Sequence, residues 1–100
     1  MTPYQRGVRL EYLARDVLRQ RGYVVVRSAG SHGAIDLVAL NERELLLIQV
    51  KQSGQPVGTA LNKLSEVPGP RGTRRQVWVY HRARGRTTAR WEIIQSKRRP

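Results

Sequence analysis

The chain contains no cysteine, which excludes disulfides and thiolate metal sites and fits a reducing compartment. It has no apolar run long enough to span a membrane. Its opening stretch, MTPYQRGVRL, lacks the apolar core of a signal peptide. Acidic residues are scarce, 7 against 19 basic ones. These absences lead to the expectation of a soluble intracellular protein, without a membrane partner or small-molecule cofactor.

The basic excess is the strongest compositional signal. Net charge is +12, and 16 of the 19 basic residues are arginine. Residues 1–50 carry 7 basic and 5 acidic groups, whereas residues 51–100 carry 12 and 2. The planar guanidinium fork donates two hydrogen bonds to one phosphate, so a basic half of this kind is the footprint of a nucleic-acid binder. With 100 residues, a single domain spanning 1–100 is expected, with a basic, flexible tail over about 95–100. Its core is modest, and dimerisation would help it.

Hydrophobic spacing orders the chain. PYQRGVRLEYLARDVLRQRG carries Leu10, Leu13, Ala14, Val17 and Leu18 on one stripe, a helix closed by Gly22. YVVVRS is β-branched and strand-like, and AGSHG a glycine-bracketed loop. AIDLVAL and ELLLIQVK are two strands joined by a tight turn. TALNKLSEV is a short helix, PGPRGTRR a basic connector, and QVWVYH and ARWEII strands flanking the loop RARGRTT. The order is α-β-β-β-α-β-β.

Two of these strands hold polar residues among aliphatics: Asp36 in the first, Gln49 and Lys51 in the second. Desolvating such groups costs several kcal/mol unless they find partners. Alternation puts Leu45, Leu47, Gln49 and Lys51 on one face. A hairpin turning at Glu42 and Arg43 pairs residues whose numbers sum to 85, so Leu40 meets Leu45, Val38 meets Leu47 and Asp36 meets Gln49. Directly opposed residues bring their Cβ atoms within about 4.5–5.5 Å. A one-residue slip would mismatch both apolar faces. Asp36, Gln49 and Lys51 are therefore expected to cluster at the open end of the hairpin.

A carboxylate and an amide oxygen are hard ligands suited to Mg²⁺, and a lysine on the same face can offset charge on a phosphate. Glu11 is the candidate second carboxylate, if the first helix covers the face carrying Leu45 and Leu47. The plainer alternative is a structural ion pair between Asp36 and Lys51, with Gln49 filling an edge position. His32 is more readily a plain loop residue than a DNA contact. Trp78, Tyr80 and Trp91, in two neighbouring strands, suit packing better than base stacking. Arg15, one turn after Glu11, suits an intrahelical pair.

The leading helix with Glu11, then VVVRSAGSHGAIDLVAL, then LLLIQVK, closely resembles the archaeal-type Holliday junction resolvases of the PD-(D/E)xK nuclease superfamily. The likeness is strong over residues 4–51 and loose beyond. It implies an α/β fold with a restriction-endonuclease-like αβββαββ core, a mixed central sheet flanked by helices. It implies a homodimer that binds four-way DNA junctions in recombination and repair, cutting two strands symmetrically with Mg²⁺, for which Mn²⁺ would substitute. The active site would be Glu11, Asp36, Gln49 and Lys51, with Ser31 near the scissile phosphate and Asp36, Gln49 and Glu11 as metal ligands. Arg27, Ser31, His32, Arg71, Arg74, Arg75, Arg82, Arg84 and Arg86 would contact DNA. Such an enzyme would act in a prokaryotic or virus-infected cytoplasm, at the nucleoid. The family usually has Glu where this chain has Gln49, and the lost negative charge weakens metal binding. Two alternatives follow: another DNA nuclease of the superfamily, of nicking, repair or restriction type, or a non-catalytic DNA-binding module.

Overall fold

A computed structural model of the chain describes residues 1–28 and 33–96. Ser31 and His32 lie outside the described residues, as do Ala29, Gly30 and residues 97–100 of the expected tail. The elements are α1 (Pro3–Gln20), β1 (Val24–Arg27), β2 (Leu37–Leu40), β3 (Leu45–Gln52), α2 (Gly58–Ser65), β4 (Thr73–His81) and β5 (Arg90–Gln95). The strands form one sheet in chain order; β3 and β4 are parallel and the other neighbours antiparallel. This is the expected mixed sheet flanked by helices. Among the described residues no helix is long and apolar enough to cross a membrane.

Local chemistry sets the helix bounds. Thr2 and Gln5 form a reciprocal capping box at the start of α1, with Pro3 in its first turn. At the other end Gly22, at φ 92°, donates to the Arg19 carbonyl while Tyr23 donates to that of Leu18. That pair of bonds is a Schellman closure, and the left-handed backbone favours glycine.

The β2–β3 hairpin has the expected register: Leu40 pairs with Leu45, Ala39 with Leu46, Val38 with Leu47 and Leu37 with Ile48. Asn41 fixes the turn, its Oδ1 accepting from the amides of Arg43 at 2.8 Å and Glu44 at 2.9 Å. The ladder ends at Leu37, so Asp36 lies one residue beyond it.

The sheet is covered on both sides, and the helices are assigned to faces contrary to expectation. Ala14 and Leu18 of α1 pack with Leu37, Ala39, Leu46, Ile48, Val50 and Trp78. Ala60 and Leu64 of α2 pack with Leu47, Val77 and Val79, and Val38 and Leu45 join them. The face of Leu45 and Leu47 therefore belongs to α2, not to α1. The reason is that both faces of β3 are apolar: Leu46, Ile48 and Val50 offer α1 an unbroken surface, while Gln49 and Lys51 interrupt the other.

β4 begins at Thr73, earlier than expected, so Arg74 and Arg75 are strand residues rather than parts of a connector. Arg75 donates twice to the Val67 carbonyl, at 2.9 and 2.6 Å, and so ties the end of the α2 segment to β4. β5 runs through Gln95, and Ser96 donates to the Arg75 carbonyl at 2.8 Å. Trp78 is buried to 1% exposure, its ring 5.6 Å from that of Trp91, which in turn lies 5.0 Å from Tyr80. The three aromatics pack as expected. Trp78→Ala should cost about 3–5 kcal/mol, as truncation of a filled core site does. Urea denaturation followed by circular dichroism checks this, and a loss below 1 kcal/mol would contradict the core assignment.

Candidate active site

Asp36 is held at the end of the β2–β3 ladder by three hydrogen bonds. Its N–H donates to the Ile48 carbonyl at 2.8 Å, and its carbonyl accepts from Ser28 at 2.9 Å. Its Oδ2 accepts from the Val50 amide at 2.8 Å. The side chain thus turns to the backbone of β3 rather than facing Gln49 in a regular ladder pair. Its second oxygen carries no hydrogen bond among the described residues. The carboxyl titrates above its ordinary range, chiefly because burial desolvates it, against the pull of the Val50 amide and the charges of Lys51 and Arg27.

Glu11 approaches from α1. Its Oε1 accepts from Arg27 Nε at 2.8 Å, in a pair whose side chains are 17% and 19% exposed. Its carboxyl is also raised, first by burial and second by the nearby charge of Asp36, with Arg27 opposing both. Two carboxylates therefore share one region, with Arg27 between sheet edge and helix. Arg27, expected as a DNA contact, commits its guanidinium to Glu11 and lies 5.0 Å over the Tyr12 ring. Arg15 does not pair with Glu11: it bonds Asp16 at 3.1 Å and stacks over Tyr12.

Gln49 and Lys51 line a cleft of about 220 Å³ on the α2 side, closed by Gly33, Pro56, Thr59 and Lys63. Gln49 Oε1 is buried with no hydrogen-bond partner, and no other side-chain polar atom among the described residues is in that position. Leaving such an acceptor unmet costs about 1–3 kcal/mol, so it calls for a cation or a water. No three His, Cys, Asp or Glu side chains among the described residues gather where they could hold a metal. The available donors are one carboxylate oxygen of Asp36 and the orphaned amide oxygen of Gln49, with the second carboxylate oxygen of Glu11 on the α1 side. That sparse set of hard oxygens fits Mg²⁺, which keeps waters and takes phosphate oxygens.

The remaining arginines separate into two groups. Arg74 pairs with Glu44 at 3.2 Å, and Glu44 also accepts from the Tyr23 hydroxyl, far from the site along β3. Arg75 serves the Val67 carbonyl. Arg82, Arg84 and Arg90 instead line a separate cleft of about 660 Å³ with Gln52 and Ser53, just past Lys51. Arg71 and Arg86 are exposed. Thr59 and Lys63 escaped the sequence reading, although their four-residue spacing beside the buried pair Ala60 and Leu64 places them on one flank of α2.

A family model for archaeal Holliday junction resolvases, Hjc, matches residues 2–62. Among solved structures, the chain is similar to Hjc of Archaeoglobus fulgidus, a Holliday junction resolvase from an archaeal hyperthermophile. The TM-score is 0.70 at 24% identity, covering 92% of this chain and 74% of that one. That structural likeness shows a shared fold.

A carboxyl raised by folding holds its proton more tightly in the folded chain, so its stabilising contribution is present at acid pH and lost as pH rises through the raised value. Asp36→Asn should therefore melt above wild type at neutral pH in EDTA, with the gap closing below the ordinary carboxylate range. Thermal melts between pH 3 and 8 measure this. A variant melting below wild type at neutral pH would refute the desolvation account.

Proposed function

The chain belongs to the archaeal Holliday junction resolvase family, and on that premise we propose that it is a metal-dependent endodeoxyribonuclease that cuts four-way DNA junctions by paired, symmetric nicks. The supporting observation is the juxtaposition of the desolvated Asp36, the unpartnered amide oxygen of Gln49 and Lys51 at one end of the β2–β3 hairpin.

Asp36 and Gln49 would hold Mg²⁺, or Mn²⁺ in its place, with Glu11 adding negative charge from the α1 side. When bound, the ion would supply Lewis acidity toward the attacking water and the scissile phosphate. The rest of the work falls to the chain. The Val50 amide fixes the Asp36 carboxylate in one orientation, leaving one oxygen to face a ligand. Arg27 holds Glu11 by its hydrogen bond and opposes the upward push that burial and Asp36 exert on its carboxyl. Lys51 stabilises the charge that accumulates on the phosphate in the transition state. The oxygen of water forms the new bond to phosphorus as the bond to the 3′-oxygen breaks in line. The proton that water gives up replaces phosphorus on the 3′-oxygen, leaving a 5′-phosphate and a 3′-hydroxyl.

Two such sites are needed for paired cuts. A homodimer with twofold symmetry supplies them, matching the symmetry of the junction. The exposed Arg71 and Arg86 and the cleft of Arg82, Arg84 and Arg90 would hold the flanking backbone by phosphate contacts, which read charge rather than sequence. Such an enzyme acts in the cytoplasm, at the nucleoid.

The test is cleavage of a labelled four-way junction beside matched duplex and single strand, in Mg²⁺ or EDTA. Symmetric nicks confined to the junction are expected with Mg²⁺ and none with EDTA. Asp36→Asn and Lys51→Ala should each lower the rate about 100-fold or more, the scale on which loss of a preorganised charge acts. Cutting of all three substrates alike would assign a different nuclease, and tight binding without cutting would leave a DNA-binding module.

A further inference from the structure

Two ammonium groups line the same cleft as Gln49: Lys51 on β3 and Lys63 on α2. No carboxylate contributes to its lining, and neither lysine is in an ion pair among the described residues. Like charges facing one small cavity repel, and the arrangement becomes favourable when an anion sits between them. The other walls suit a tetrahedral oxyanion. Thr59 offers a hydroxyl one turn before Lys63, and Pro56 and Ala60 supply walls that compete for no hydrogen bond. Gly33, with no side chain, lets a backbone approach the rim. The volume of about 220 Å³ suits a phosphate group with its adjoining sugar atoms better than a base pair.

We propose that Lys63 is a phosphate-holding residue, seating a phosphodiester of the DNA against Lys51 from the opposite wall of the cleft. The proposal rests on the reading of this cleft as the site of DNA cutting. α2 thereby has two functions: Ala60 and Leu64 pack on the sheet, and the flank carrying Thr59 and Lys63 closes the site. Lys63 belongs to the helix and Lys51 to the strand, so the two respond differently to substitution. Removing Lys51 takes away charge at the reacting phosphate, whereas removing Lys63 loosens the grip on the strand.

The experiment measures binding and cleavage separately on the full chain. Fluorescence anisotropy of a labelled four-way junction in EDTA, between 50 and 200 mM salt, compares wild type with Lys63→Ala, Lys63→Arg and Lys51→Ala. Lys63→Ala is expected to weaken binding about 10-fold and to reduce the slope of log affinity against log salt by about one. Lys63→Arg should restore both. In Mg²⁺ the Lys63→Ala loss should appear in KM with kcat within about twofold, whereas Lys51→Ala loses kcat. Excess inorganic phosphate should not displace the junction, since a free phosphate pocket would be competed and a backbone clamp far less. Unchanged affinity and slope in Lys63→Ala would overturn the proposal, as would a loss that Lys63→Arg fails to restore. If wild type binds through Lys63 but cuts nothing, the nuclease reading falls and the phosphate assignment stands. If wild type binds no DNA, both fall.

Discussion

The hydrogen bond from the Val50 amide to Asp36 Oδ2 is the contact on which the rest of the site depends. It forms because the β2–β3 register places Asp36 just past the last ladder pair, within reach of an amide on the neighbouring strand. The register in turn is set at the far end of the hairpin, where Asn41 gathers two turn amides, and along the strands by matched apolar faces. A slip of one residue would turn Gln49 and Lys51 to the α1 face and send Ile48 and Val50 toward the cleft. The hydrophobic effect, acting on leucines and valines, thus decides where Asp36, Gln49 and Lys51 can go.

The two helices divide the work between the faces. α1 brings Glu11 to Arg27 of β1, at the edge where Asp36 leaves the ladder, and α2 closes the cleft over Gln49 and Lys51. The site therefore sits at the border between the two cores rather than on one face. Each half alone is poor in ligands: one side has carboxylates pushed toward the protonated form by burial, the other an acceptor with no donor. A bound cation would satisfy both at once, favouring the ionised carboxylates and meeting the orphaned amide oxygen.

Much of this was legible in the sequence. Element order, the sum-85 register, the Gly22 closure and the packing of Trp78 follow from periodicity and turn chemistry, which are local. The face on which each helix packs is not local. Leu45 and Leu47 are as apolar as Leu46 and Ile48, and only the tertiary arrangement distinguishes them. The partners of charged side chains were equally hidden: Arg15 turned to Asp16, while Arg27, distant in sequence, took Glu11. Among the basic residues of the second half, strand β4 absorbed Arg74 and Arg75 into structural pairs because the ladder with β3 begins at Thr73. Lys63 went unnoticed because a lysine on a short helix looks like solvated surface until the helix is docked.

The central claim is that Asp36 and Gln49 share one divalent cation. Calorimetric titration of Mn²⁺ into the DNA-free protein tests it most directly, comparing wild type with Gln49→Glu and Gln49→Leu. The account predicts tighter binding when Gln49 becomes a carboxylate and loss of binding when it becomes leucine, with the fold intact by circular dichroism. Equal Mn²⁺ affinity in all three proteins would contradict it.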